Sequence, residues 1–279
     1  MLYIENERFR LGAVTTGAEL RSFTDKCDAY EYLWQGGAIW NGCSPLLFPV
    51  VGKLKGDSYT LNGKQYLLEK HGFARKSEFS IEEHTAERIT FLLTDTSATR
   101  ECYPFAFALR VSFSFVENGF AMTHRVTNIC GDPMYFSLGA HPGFQCAMGD
   151  QIVMNAPETA AAFRLDENFL RGRDTEPVFA NSRELIITPE LFVKDALIFD
   201  GLRSDGCTLL RSNGKHVHVD FGGAPCLGIW AKPAAPYVCI EPWYGIDDAW
   251  NASGDLARKH RICCLDAGKE FVFTVTITV

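Results

Sequence analysis

The sequence predicts an all-β protein, an antiparallel sandwich or barrel with a few short helices. Three observations carry this. Apolar residues recur at every second position, Asn-Gly pairs interrupt those runs, and helical signals are few and short. The first hairpin is read at Tyr59–Leu61 and Gln65–Leu68, with Asn62-Gly63 between them. From Phe107 to Phe115 the odd positions are Phe, Leu, Val, Phe and Phe, and the even ones Ala, Arg, Ser and Ser, as in a half-buried strand. Asn118-Gly119 follows, offering the positive φ angles of a tight turn, and Phe120, Met122 and Val126 resume the alternation. Helical turns are expected at Ala156–Phe163 and from Thr188 to about Ala196, the latter with Thr at the N-cap and Pro at the first helical position. A third hairpin joins Thr208–Leu210 to His216–Val219 through Asn213-Gly214, and Phe271 to Val279 alternates to the end.

With no low-complexity stretch, repeat or linker, residues 1–279 read as a single unit. Apolar residues make up 47%, enough for a sizeable core, and charged residues 22%. The net charge of −7 disfavours nucleic-acid and acidic-membrane partners, which call for a basic face, though it leaves room for a local pocket for one phosphate. The first ten residues carry Glu5, Glu7, Arg8 and Arg10, unlike a signal peptide, and no apolar run is long enough to cross a bilayer. A cytoplasmic protein is expected. The ten cysteines show neither C-x-x-C nor metal-ligand spacing, so reduced, mostly buried thiols are expected.

Among the seven histidines, His84 sits in an acidic, solvated run and His260 in a basic one. His124 is placed on the polar side of its strand. His216 and His218 share a strand face as a possible metal pair, but with no third ligand evident a plain surface strand is the better reading. His71, in Lys70-His71-Gly72-Phe73-Ala74-Arg75, and His141, in Leu138-Gly139-Ala140-His141-Pro142-Gly143-Phe144, lie in loop-like segments. There a histidine is either catalytic or a turn residue bonded to backbone. Glu241 ends the apolar run Tyr237-Val238-Cys239-Ile240 beside Trp243 and Tyr244. It is either a carboxylate presented to a sugar beside aromatic rings or a strand-end glutamate paired with an arginine. Trp230 and Tyr244 either line a pocket or belong to the core.

These segments, in this order, resemble the aldose 1-epimerases (galactose mutarotases), in particular their LacX-like branch. The resemblance rests on Pro45-Leu46-Leu47-Phe48-Pro49, the His71 and His141 segments, Ile240-Glu241-Pro242-Trp243, and an opening with Gly17–Ser22 and Glu31–Trp34. It implies a large antiparallel β-sandwich of the galactose mutarotase-like supersandwich type. It implies His141 as the general acid that protonates the ring oxygen and Glu241 as the base that takes the anomeric hydroxyl proton. His71 would hydrogen-bond the sugar, and Asp195 is a weaker match to a hydroxyl-binding aspartate. Where family members commonly carry an arginine after the Leu-Phe-Pro motif, this chain has Lys53, a point charge in place of a rigid fork.

The resemblance implies proton transfer at an anomeric carbon, with no cofactor and no metal. A histidine near ~6.5 and a glutamate near ~4.3 would be protonated and ionised together around neutrality, on opposite sides of the anomeric centre. The partner would be a small sugar, and the chain a monomer or homodimer. Two alternatives remain: a sugar-binding or sensing protein without turnover, and an epimerase of a hexose phosphate, for which Arg75, Lys76 and Lys53 are the available cations.

Overall fold

A computed structural model describes residues 1–279, and strands dominate it. The largest sheet runs, edge to edge, through Leu138–Gly139, Tyr237–Tyr244, Cys226–Trp230, Leu197–Asp200, Gln151–Leu165, Gly206–Leu210, His216–Asp220, Glu270–Thr278, Gly119–Asn128, Phe107–Val116, Arg88–Thr94 and Ser80–His84. Its neighbours pair antiparallel throughout. The first residues form a four-stranded sheet, Leu2–Glu5, Phe9–Ala13, Leu20–Asp25 and Tyr30–Glu31. The two sheets share one core: Phe23 of the small sheet meets Phe120 of the large one at 4.7 Å between ring centres. The architecture is therefore the large antiparallel β-sandwich the sequence predicts. No helix is long and apolar enough to cross a membrane.

The alternation fixes which face is buried. In Gly119–Asn128 every even position is buried, because side chains alternate across a pleated strand. His124 is on that apolar face and not on the polar side. It is 1% exposed, stacked on Phe273 at 5.4 Å, and burial pushes its pKa down to about 4. The turns differ in chemistry. At Asn62-Gly63 both residues take positive φ, as a two-residue turn between Ser58–Leu61 and Lys64–Leu67 requires. At the second hairpin only Asn118 does so. Gly119 already pairs with Val116 and Thr278, and a Cβ on it would lie 1.9 Å from the Ile277 carbonyl oxygen.

Two helical expectations change. Ala156–Phe163 lies inside the strand Gln151–Leu165, paired with Arg171–Ile186 through several register shifts; cross-strand pairing overrides the helical preference of its alanines. The Thr188 segment makes only a 3₁₀ turn, Pro189–Phe192, without a side-chain cap bond. A short α-helix at Ser97–Cys102 was not expected; Thr96 and Thr99 cap it reciprocally. All ten cysteines are free thiols.

Candidate active site

The meeting of His141 and Glu241 follows from a break in one strand. Leu138–Gly139 and Gly143–Gln145 both pair with Tyr237–Tyr244, and the residues between them, Ala140–Pro142, leave the ladder opposite Glu241. Two backbone bonds bracket the break: Ala140 N–H to Pro242 O at 3.1 Å, and Ile240 N–H to Pro142 O at 3.2 Å. His141 therefore faces Glu241, with Nε2 and Oε2 3.2 Å apart and both side chains buried.

The pair forms part of the wall of a cavity of about 250 Å³. Trp40 and Trp230 flank the His141 ring, at 5.3 and 5.8 Å. His71 approaches it edge-on at 6.1 Å. His71 sits at φ 65°, its N–H bonded to Gly52 O and its Nδ1 accepting from Gly52 N–H. An accepting Nδ1 puts the proton of the neutral ring on Nε2. Asp195, at φ 63°, also lines the cavity, and its carboxylate accepts from Ala196 N–H. Arg75 lines it too, with Nη2 donating to Lys70 O and a buried Nε without a partner. Tyr244 is elsewhere: it packs edge-on against Phe271 and Phe273 and donates to Gly222 O.

Lys53 does not line the cavity. Its ammonium pairs with Asp57 at 3.3 Å on the far side of its loop, and only its backbone reaches the site region, donating to Asp247 at 2.8 Å. Lys76 likewise turns outward to Glu69. The lysine in the cavity is Lys70, immediately before His71, and Lys232 lines it as well. Asp247 is a further buried wall residue. It packs so closely on Gly52 that a Cβ there would fall 2.1 Å from its carboxyl carbon. Sequence reasoning passed over Trp40, Lys70, Lys232 and Asp247. Lys70 stands inside a quoted motif and Asp247 six residues after Glu241, but neither position reveals which way a loop side chain points.

Electrostatics differ from the sequence expectation. Burial pushes Glu241 well above the ordinary carboxylate range, with Lys70 pulling the other way, and drives His141 well below the ordinary histidine range. Burial also lowers His71, helped by Lys70, and raises Asp247. Away from water each group favours its neutral form. Burial thus favours a neutral imidazole against a carboxylic acid, with one proton between them. The ionised arrangement differs by one proton shift along the 3.2 Å contact.

Cys239 Sγ lies with His141 and Glu241 in a group whose donor atoms are all within 4.8 Å. A metal would want the thiolate, and burial holds this thiol well above its usual pKa. His216 is exposed and His218 bonds Thr208.

A long antiparallel sandwich with a buried histidine–carboxylate pair in an aromatic-walled cavity defines a class of proton-transferring isomerases. The chain belongs to the aldose 1-epimerase family, whose sequence profile matches residues 1–263. It is 30% identical to the chromosomal LacX protein of Lactococcus lactis subsp. lactis over 296 aligned positions, covering 96% of each chain. Among solved structures it resembles a galactose mutarotase related enzyme from Lactobacillus acidophilus, at 36% identity and TM-score 0.94, covering 99% of this chain and 96% of that one. A galactose mutarotase-like protein from Lactobacillus casei is similar at 28% identity and TM-score 0.94, covering 100% and 99%.

Proposed function

We propose that this enzyme interconverts the α and β anomers of an aldose, with His141 as general acid at the ring oxygen and Glu241 as general base at the anomeric hydroxyl. The 3.2 Å contact of these two groups on the cavity wall is the observation that carries the reading. The ring oxygen and the anomeric oxygen share one carbon, so an acid and a base side by side reach both. Sugar oxygens entering the contact replace the direct proton exchange. With the shared proton shifted from Glu241 to His141, Glu241 takes the O1 proton, the C1–ring-oxygen bond breaks, and His141 delivers its proton to the departing ring oxygen. Rotation about C1–C2 exposes the other carbonyl face, and closure returns both protons. Lys70, which favours the ionised form of Glu241, assists the base. His71 and Asp195 bind hydroxyls, and Trp40 and Trp230 offer rings for the sugar's C–H faces.

Polarimetry or NMR exchange on a fresh α-aldose tests this. The protein speeds equilibration, and His141→Asn abolishes most of that acceleration while the fold is retained. Wild-type rates in that variant refute the assignment; tight sugar binding with no acceleration by the native chain points to a sensing role.

A second reading has its own observation. Lys70, Arg75 and Lys232 all line the cavity, and none of them forms an ion pair, although the chain's net charge is −7. Unpaired cations favour a substrate bearing an anionic group, as in a hexose phosphate. Rates on a free hexose and on its 6-phosphate decide between the two.

A further inference from the structure

The hairpin between Gln151–Leu165 and Arg171–Ile186 ends in a five-residue tip, 166–170, and Phe169 of this tip lines the cavity. Phe169 is 45% exposed and sits at φ 59°, a left-handed conformation that a bulky residue holds only when its surroundings impose it. The tip supplies that hold. Asp166 Oδ1 accepts from Asn168 N–H and Leu170 N–H, Asp166 N–H donates to Leu170 O, and Phe169 N–H donates to Asp166 O. The stem is fastened to the loop that carries Asp247. Arg171 N–H donates to Asp248 O, Trp250 N–H donates to Arg171 O, and Arg171 Nε donates to Asp247 O at 2.8 Å. The Lys70 ammonium lies 4.7 Å from the centre of the Phe169 ring, bringing the tip together with the cation that acts on Glu241.

A single exposed aromatic residue is ordinary on a protein surface. This one is strained, pinned to a wall element of the cavity, and in contact with a cavity lysine. The cavity, about 250 Å³, falls below the ~300–1,000 Å³ typical of drug-sized ligands and suits one sugar ring.

We propose that Phe169 is a specificity-determining residue, a fixed aromatic roof that packs on a single aldose ring and excludes aldoses carrying a second sugar unit. The inference rests on reading the cavity as an aldose site. Trp40 and Trp230 line the cavity and report occupancy by fluorescence, independently of turnover. Titrations with D-glucose and with the reducing disaccharide maltose compare the native chain, Phe169→Ala and Phe169→Gly. Both variants weaken glucose binding by roughly tenfold, the loss of one aromatic contact, and raise the maltose-to-glucose affinity ratio by at least about tenfold. Phe169→Gly also relieves the backbone strain and keeps or raises the denaturation midpoint, so its altered binding does not come from unfolding. An unchanged ratio in both variants overturns the roof. Failure of the native chain to bind glucose overturns the aldose reading of the cavity and the roof with it.

Discussion

Replacing Glu241 by glutamine separates catalysis from stability in one substitution. The amide keeps the size of the side chain, and its N–H₂ donates to His141 Nε2 as the carboxylic acid does across the 3.2 Å contact, so the fold is retained. It cannot take the anomeric proton. Loss of one positioned acid–base group costs ~10²–10⁴ in rate, about 3–5 kcal/mol of barrier. Stability moves the other way. Glu241 has its pKa raised by burial, so its contribution to folding is full below the ordinary glutamate value and is lost as pH rises toward its folded value. At pH 8 the unfolded chain gains more from ionising this carboxylate than the folded chain does; the glutamine variant lacks that penalty. Glu241→Gln therefore unfolds at higher urea than the native chain at pH 8, and the difference shrinks as the pH falls to ~4.5. The assay pairs anomer-exchange NMR with urea denaturation at the two pH values. An exchange rate within tenfold of the native one removes Glu241 from the chemistry. Equal urea midpoints at pH 8 refute the neutral resting pair.

Two further outcomes follow from the same structure. His124 lies outside the cavity with its pKa depressed to about 4, so the unfolded chain binds its proton first and stability is lost as pH falls from ~6.5 to about 4; at ~1.4 kcal/mol per pKa step this is about 3 kcal/mol. His124→Phe, measured by urea denaturation at pH 7.5 and 4.5, flattens the pH dependence by that amount, and an unaltered slope refutes burial as its cause. Lys53→Met leaves the exchange KM within about twofold, since its ammonium faces Asp57, whereas Lys70→Met lowers kcat by roughly tenfold or more; the reverse ranking would return Lys53 to the site.

The sheet was legible because alternation and burial are the same fact seen twice. Phe107–Phe115 lies in a strand, and so does Phe271–Thr278, where Phe273, Val275 and Ile277 face the core and Val272 faces out. His124 was misplaced although it shares the even-numbered face of Phe120, Met122 and Val126, because a polar residue type was given more weight than its position in the period. Ala156–Phe163 misled in the opposite way. The helical turn expected there is instead one arm of a long, bulged hairpin whose partner begins beyond Phe169. At the candidate site, His71, His141 and Glu241 stood out through their loop and strand-end contexts and the ordered motifs around them. The cation did not, because neither loop sequence shows that the Lys53 ammonium goes to Asp57 while Lys70 lines the cavity. Trp40 and Asp247 belong to loops that make contacts with residues distant in the chain, Tyr237 and Gly52 respectively.

The interrupted strand opposite Glu241 has a consequence for how this scaffold can diversify. The spacing of His141 and Glu241 is set by ladder bonds on either side of a three-residue gap, main-chain to main-chain. The surfaces that greet the rest of a ligand hang on other segments: the Trp40 loop, the 166–170 tip, the turn at Asp195 and the loop at Asp247. Exchanges in those segments can redraw the outline of the chamber while the ladder bonds that space His141 and Glu241 stay in place.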